Sequence, residues 1–242
     1  MPHGIFVTGT DTGVGKTLAA CALLHAYAQR GERVIGMKPV AAGLDEVAGQ
    51  AINADVAALR AASNVVAPLE SVNPYAFAPP IAPHLAARRA GETIDLSRIA
   101  DAYGDLAARA ERVIVEGAGG ALVPLNERDD MLDLARVLGL PVVLVVGVRL
   151  GCINHALLTA LAIRARGLHL AAWIANTIEP HLPALEDHLA ALRTRLIAPC
   201  MGTIPHLGRH ADPLRYAAGV AAQLDLKALD GLRFLRDASH SC

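Results

Sequence analysis

The segment VTGTDTGVGKT, Val7 to Thr17, carries three glycines and, at its end, a lysine followed by a threonine, between an apolar run and an Ala/Leu-rich one. Glycines let a loop turn its backbone N–H groups toward an anion, and the start of the following helix adds partial positive charge. A lysine placed as Lys16 is reaches the outer phosphates of a nucleotide, and a hydroxyl placed as that of Thr17 is can bind Mg²⁺. The usual spelling, G-x-x-x-x-G-K-[ST], puts glycine at position 10, whereas this chain has Thr10 there and the glycine one place earlier, at Gly9. Strand, loop, Gly-Lys-Thr and helix still follow in the order that predicts a phosphate-binding loop.

Other residues with chemistry stand where strands end. Lys38, in MKPVAAG, lies beside the phosphate loop if its strand neighbours the first; taken alone it reads as well as a solvated strand end. Asp55, in NADVAAL, is a carboxylate at a helix start, a position the helix dipole alone would favour. Glu116 closes the β-branched run VIVE, where a carboxylate can complete Mg²⁺ coordination, and Gly117, Ala118, Gly119 and Gly120 after it are expected to present backbone N–H groups. Gly151, Cys152, Ile153 and Asn154 open a helix whose N-terminus can receive an anion or be an ordinary helix start. HLGRH sets His206 and His210 four apart but lacks the glutamate of a zinc-protease helix, so it reads as loop.

The elements that must position these residues alternate. Val/Ile-rich runs at GIFVTG, RVIGMKPV, RVIVEGAGG, PVVLVVGV and LAAWIANTI predict buried parallel strands, and Ala/Leu-rich segments between them predict helices. Strand alternating with helix implies a single-domain α/β fold, a doubly wound, mostly parallel sheet of P-loop NTPase architecture, with ligands beyond the carboxyl ends of the strands. Residues 1–226 are expected to form that domain and 227–242 a C-terminal tail. The proline-rich stretch from Ala67 to Ala87 reads as an ordered excursion carrying short helices. Hydrophobic residues at 53% and charged residues at 19% exclude a disordered chain. A net charge of −1 with 3% aromatics argues against a nucleic-acid surface. The most apolar run, Pro141 to Val148, is far short of the ~20 residues a membrane span needs. Cys21, Cys152, Cys200 and Cys242 form no CxxC pair and read as reduced thiols of a cytoplasmic protein.

Together GTDTGVGKT, KPVAAG, VNPYAFAPPIAPH, VEGAGG, VVGVRLGCINHALLT and GTIP resemble, in order, the segments of dethiobiotin synthetases, over roughly residues 4 to 210. That family's loop carries the same displaced glycine. The resemblance implies that Gly13, Val14, Gly15, Lys16 and Thr17 cradle ATP, that Thr17, Asp55 and Glu116 hold Mg²⁺, and that Lys38 is the active-site lysine. Lys16 and Thr12 join it in catalysis, Thr12 near the substrate amines, with Gly117, Ala118 and Gly119 approaching substrate and phosphate. Asn176 and Thr177, with Pro205, His206 and Leu207, are expected to flank the adenine. It further implies a homodimer, in which Gly151 to Asn154 hold the tail of the neighbour's substrate. The substrates so implied are 7,8-diaminononanoate, CO₂ and ATP, joined through a carbamate and a carbamic-phosphoric anhydride into a ureido ring.

Four positions depart from the family pattern: Gly13 stands where an acid is frequent, Ala42 where a serine is common, Arg149 where lysine is usual and His188 near a tyrosine position. Ala42 removes one expected hydrogen bond to substrate. The rival expectation is a partner-switching ATPase of the positioning or partition type, which usually carries an early second lysine in the loop and a basic membrane helix at its end. Thr10 and Asp11 occupy the early loop, and Asp230, Gly231 and Asp237 interrupt the terminal Leu229, Leu232 and Leu235 spacing. A glutamine-using amidating synthetase would need a further domain for which this chain has no room.

Overall fold

Valine and isoleucine are stiff at χ1 and pack well on a pleated surface, and the run Val142–Val148 is buried at every residue, as a strand covered on both faces must be. In a computed structural model, which describes residues 3–47, 50–208 and 213–230, such runs form a six-stranded, all-parallel sheet. The elements follow the chain as β1 (His3–Gly9), α1 (Lys16–Ala28), β2 (Val34–Met37), β3 (Val40–Ala42), β4 (Asp45–Val47), β5 (Gln50–Ile52), α2 (Ala54–Ala62), α3 (Leu69–Val72), β6 (Tyr75–Phe77) and α4 (Pro83–Arg89). They continue as α5 (Leu96–Arg109), β7 (Arg112–Glu116), α6 (Met131–Val137), β8 (Val142–Val148), α7 (Cys152–Ala165), β9 (Leu170–Thr177), α8 (Leu185–Arg195), β10 (Cys200–Ile204), α9 (Pro213–Ala221) and α10 (Lys227–Asp230).

The sheet order is β10-β9-β8-β1-β7-β2. One face is covered by α1, α2 and α9, the other by α5 to α8, so the core is two apolar layers separated by the sheet. Helix α1 has no polar side: Leu18 to Leu24 are all buried, because the sheet lies below it and α2 and α9 flank it. Helix α5 shows the opposite pattern, burying Leu96, Ile99 and Leu106 and leaving the rest of its surface largely to solvent.

Two expectations change. The run RVIGMKPV is not one strand: β2 stops at Met37, and the chain crosses Lys38–Pro39 into β3, which pairs with β6 in a separate two-stranded sheet. Proline has no N–H to donate to the ladder, so the strand breaks there. Nor does β2 neighbour β1, since β7 lies between them. The proline-rich excursion is ordered, as expected, but carries β6 as well as α3 and α4. The tail is described only to Asp230, which pairs at 2.8 Å with Arg30, in the turn after α1, while Leu229 is buried; Gly231, Leu232, Arg233, Leu235, Arg236, Asp237 and Cys242 lie outside the described residues, as does His210.

Candidate active site

The phosphate loop leaves β1 at the centre of the sheet, between β7 and β8. The displaced glycine has a packing reason. A Cβ at Gly9 would lie 2.6 Å from the side chain of Val14 and 3.2 Å from that of Lys16, so the loop folds back directly over this residue. Thr10 needs no glycine because it continues the strand: its N–H donates to the Val145 carbonyl at 3.0 Å, and its hydroxyl accepts from the N–H of Gly147. Gly13 and Gly15 take left-handed φ values of 74° and 88°, and a Cβ on Gly15 would collide with the Asn176 amide. No side chain caps α1, which leaves its first turn free for an anion.

Lys16 is buried and donates to the Asp11 carbonyl at 2.9 Å. Burial, reinforced by the nearby Lys38 charge, lowers its pKa to about 8. Lys38 reaches the same place from the far side of β7. Its ammonium lies 2.6 Å from Glu116 Oε1, at the end of β7, and 2.7 Å from Asp55 Oδ2, on the first turn of α2. Burial works against its charge, but Glu116 and then Asp55 outweigh it, and its pKa is raised. Asp55 is positioned by the α2 cap: Asn53 accepts from the Asp55 N–H and donates to the Gly43 carbonyl at 2.7 Å. Burial would raise the Asp55 carboxyl, but Lys38 and the Thr17 hydroxyl hold it below its ordinary value. Glu116 is fully enclosed, and burial holds its pKa above the ordinary glutamate value despite Lys38.

Thr17 Oγ1 stands 2.8 Å from Asp55 Oδ1 and 2.9 Å from Glu116 Oε1, and its one proton can serve only one of them. The second oxygen of Glu116 is buried without a partner among the described residues. A hydroxyl and two carboxylates, one of them with an unsatisfied buried oxygen, make the oxygen-only set a hard divalent cation prefers. Among the described residues no three His, Cys, Asp or Glu side chains cluster to hold a metal, so further ligands for such a cation must come from bound phosphate or water.

These groups line one cleft of about 940 Å³. Thr12, Gly13, Gly15, Lys16, Thr17, Lys38, Asp55, Glu116, Ala118 and Gly119 surround its polar part, and Asn176, Thr177, His206 and Leu207 border it as well. Asn176 donates to the Val14 carbonyl at 2.9 Å, tying the end of β9 to the phosphate loop, while the buried Thr177 hydroxyl has no partner among the described residues. Val40, Ala42, Pro80 and Ile81 add an apolar wall. Thr12 Oγ1 lies near Gly119, 3.5 Å from where a Cβ there would stand.

Several expected residues sit elsewhere. Val14 turns its side chain into the core, Pro205 is exposed beyond β10, and neither lines the cleft. The expectation that Gly117 presents its N–H is corrected: that N–H bonds to the Val7 carbonyl at 2.9 Å, extending the strand pairing, and only its carbonyl faces Lys38, at 3.4 Å. Gly151, Cys152, Ile153, Asn154 and His188 do not line this chain's cleft. His188 lies on α8, with its ring nitrogen 3.0 Å from the Ala184 carbonyl. Sequence reasoning missed Asn53, Pro80 and Ile81; a helix-capping asparagine just before Asp55 was the available signal for the first.

Residues 3–213 match the model of a family described as AAA domain. The chain is 54% identical over 219 residues to the ATP-dependent dethiobiotin synthetase of Aromatoleum aromaticum, covering 90% of this chain and 97% of that protein. It is 54% identical over 210 residues to the enzyme of the same name from Nitrosospira multiformis, covering 87% and 91%. Among solved structures, the septum site-determining protein MinD from Pyrococcus horikoshii, complexed with Mg-ADP, superposes with a TM-score of 0.58 at 13% identity, covering 97% of this chain and 100% of that one. At that identity the likeness shows the fold alone. The sequence matches cover about nine-tenths of the chain, which belongs to the family of ATP-dependent dethiobiotin synthetases.

Proposed function

We propose that this chain closes the ureido ring of dethiobiotin, using ATP to join CO₂ to 7,8-diaminononanoate. The observation that carries this beyond family membership is the convergence of Lys16, Thr17, Lys38, Asp55 and Glu116 on one cleft, with no Ser-His or Cys-His pair among the described residues that line it. Such a site aligns and neutralises anions and needs no covalent nucleophile.

One amine of the substrate takes up CO₂ as a carbamate, a carbamate oxygen displaces ADP from the γ-phosphate, and the second amine attacks the resulting anhydride and expels phosphate. Gly13, Gly15 and the first turn of α1 hold the phosphates. Lys16 and Lys38 neutralise the transferring phosphoryl group, a role suited to two buried ammonium groups. Thr17, Asp55 and Glu116 would hold Mg²⁺, which supplies further charge neutralisation at the phosphates. Thr12 and Gly119 border the reacting amines, and Val40, Ala42, Pro80 and Ile81 form the wall along the alkyl chain. Asn176, Thr177, His206 and Leu207 flank the adenine, beside Pro205. In this proposal residues 1–226 are the synthetase unit, and it works in the cytoplasm. Among the described residues no helix is long and apolar enough to cross a membrane.

We further propose a homodimer. Leu150, before α7, is 81% exposed, and Leu158 and Leu161 on that helix are each 57% exposed, an apolar strip beside the helix start. Burying it against a second copy brings Gly151 to Asn154 and His188 toward the partner's substrate. Phosphate release from ATP, with and without diamine and bicarbonate, tests the function. Release that depends on both substrates supports it; rapid hydrolysis unchanged by adding them refutes it and favours a partner-switching ATPase.

A further inference from the structure

The residues that make this phosphate loop unusual, Thr10 to Thr12, are gripped from the end of β8. The Gly147 N–H donates to Thr10 Oγ1 at 3.3 Å, and Arg149 Nη2 lies 2.8 Å from Asp11 Oδ2. Asp11 is a hub. Its other carboxylate oxygen accepts from the Thr12 N–H at 2.7 Å, and its backbone carbonyl accepts from Lys16 Nζ at 2.9 Å. A carboxylate inside an anion-binding loop is an electrostatic liability, since it repels the phosphates the loop must hold. Here a planar guanidinium covers it from the side while its own backbone fixes the lysine that faces the phosphates.

We propose that Arg149 is a positioning residue of the phosphate loop, acting through Asp11 on Lys16 and on the charge the nucleotide meets. Arg149 does not line the nucleotide cleft. The effect therefore passes through a carboxylate whose charge is harmful only when the arginine is missing, and removing that charge must cure the loss. The same bond ties the loop to the head of α7, two residues before Gly151.

This rests on the assignment of the loop to ATP, and the test separates the two. ADP binding is titrated calorimetrically, in Mg²⁺ buffer, to the intact chain and to Arg149→Met, Arg149→Lys, Asp11→Asn and the double variant Asp11→Asn/Arg149→Met. Arg149→Met should weaken ADP binding by about threefold to tenfold, in the lower part of the range of coupling between contacting residues, with Arg149→Lys keeping most of the affinity. In the Asp11→Asn background the same Arg149→Met change should alter affinity by less than about twofold. A purely structural arginine would give losses of equal size in both backgrounds, and that result, or an Arg149→Met variant that binds ADP as the parent does, overturns the proposal. Failure of the parent protein to bind ADP at all would instead overturn the nucleotide assignment.

Discussion

Replacing Lys38 by methionine removes the cation that lies 2.6 Å from Glu116 and 2.7 Å from Asp55 while nearly preserving side-chain length. Asp55 keeps much of its hydration, with 39% of its side chain exposed, but Glu116 is left enclosed at 1%. The most its charge can cost is the cost of taking up a proton instead. Starting from an ordinary value of 4.5, that is about 4 kcal/mol at about pH 7.5 and about 2 kcal/mol at about pH 6, at about 1.36 kcal/mol per unit. Relief of the ammonium's own burial offsets part of this, so the variant should lose about 2–4 kcal/mol at the higher pH. The sign follows from the direction of the shift. Burial raises Glu116 in the folded chain, so the folded state binds the proton more tightly than the unfolded one. Its contribution is complete below 4.5 and is lost as pH rises through the folded value; that value is raised already in the parent, and losing Lys38, which lowers it, raises it further in the variant, so the deficit widens with pH. Urea unfolding without divalent cations at the two pH values measures it, and Glu116→Gln in the same background should remove most of the deficit. A deficit below about 0.5 kcal/mol at the higher pH, or one that does not change with pH, would refute this account of the buried triad.

Gly15→Ala forces a side chain into a left-handed conformation worth about 1–2 kcal/mol and against the Asn176 amide, so ADP affinity should fall more than about tenfold; calorimetric binding at parental strength would contradict the packing described. Lys16, with its pKa lowered to about 8, is charged below that pH and loses its ammonium above it, so ADP affinity should decline as pH rises past about 8. Lys16→Arg should show no such decline in the same titration. Leu158→Glu combined with Leu161→Glu should give a monomer by sedimentation with turnover reduced, and a fully active monomer would dispose of the homodimer.

Most of the sheet was legible because buried parallel strands must be continuous apolar runs, and β1, β7, β8 and β9 are. The strand β10 was not, since Cys200, Gly202 and Thr203 give it a half-exposed edge without a β-branched run, and the three-residue β3 and β6 are too short for periodicity to register. The phosphate loop could be read locally because its function is carried by backbone and by adjacent residues. Strand order could not be, and it decided how Lys38 enters the site: across β7 onto Glu116, and not from a strand beside the loop. Likewise the use of the Gly117 N–H in strand pairing, and the grip of Arg149 on Asp11, depend on partners 110 and 138 residues away respectively, which no local pattern encodes.

The place of β1 in the sheet has a consequence for how the chain is made. Among the described residues β1 pairs with Arg112–Glu116 on one side and Val142–Val145 on the other, so the central strand has neither neighbour until more than a hundred residues have followed it. Until then β1 and the apolar helix α1 are an unpaired edge and an uncovered face, the features that slow folding and invite aggregation. A fragment ending before Arg112 would contain the entire phosphate loop and yet have no sheet to hold it. Assembly of the nucleotide site thus trails synthesis of its phosphate loop by the whole stretch up to β8.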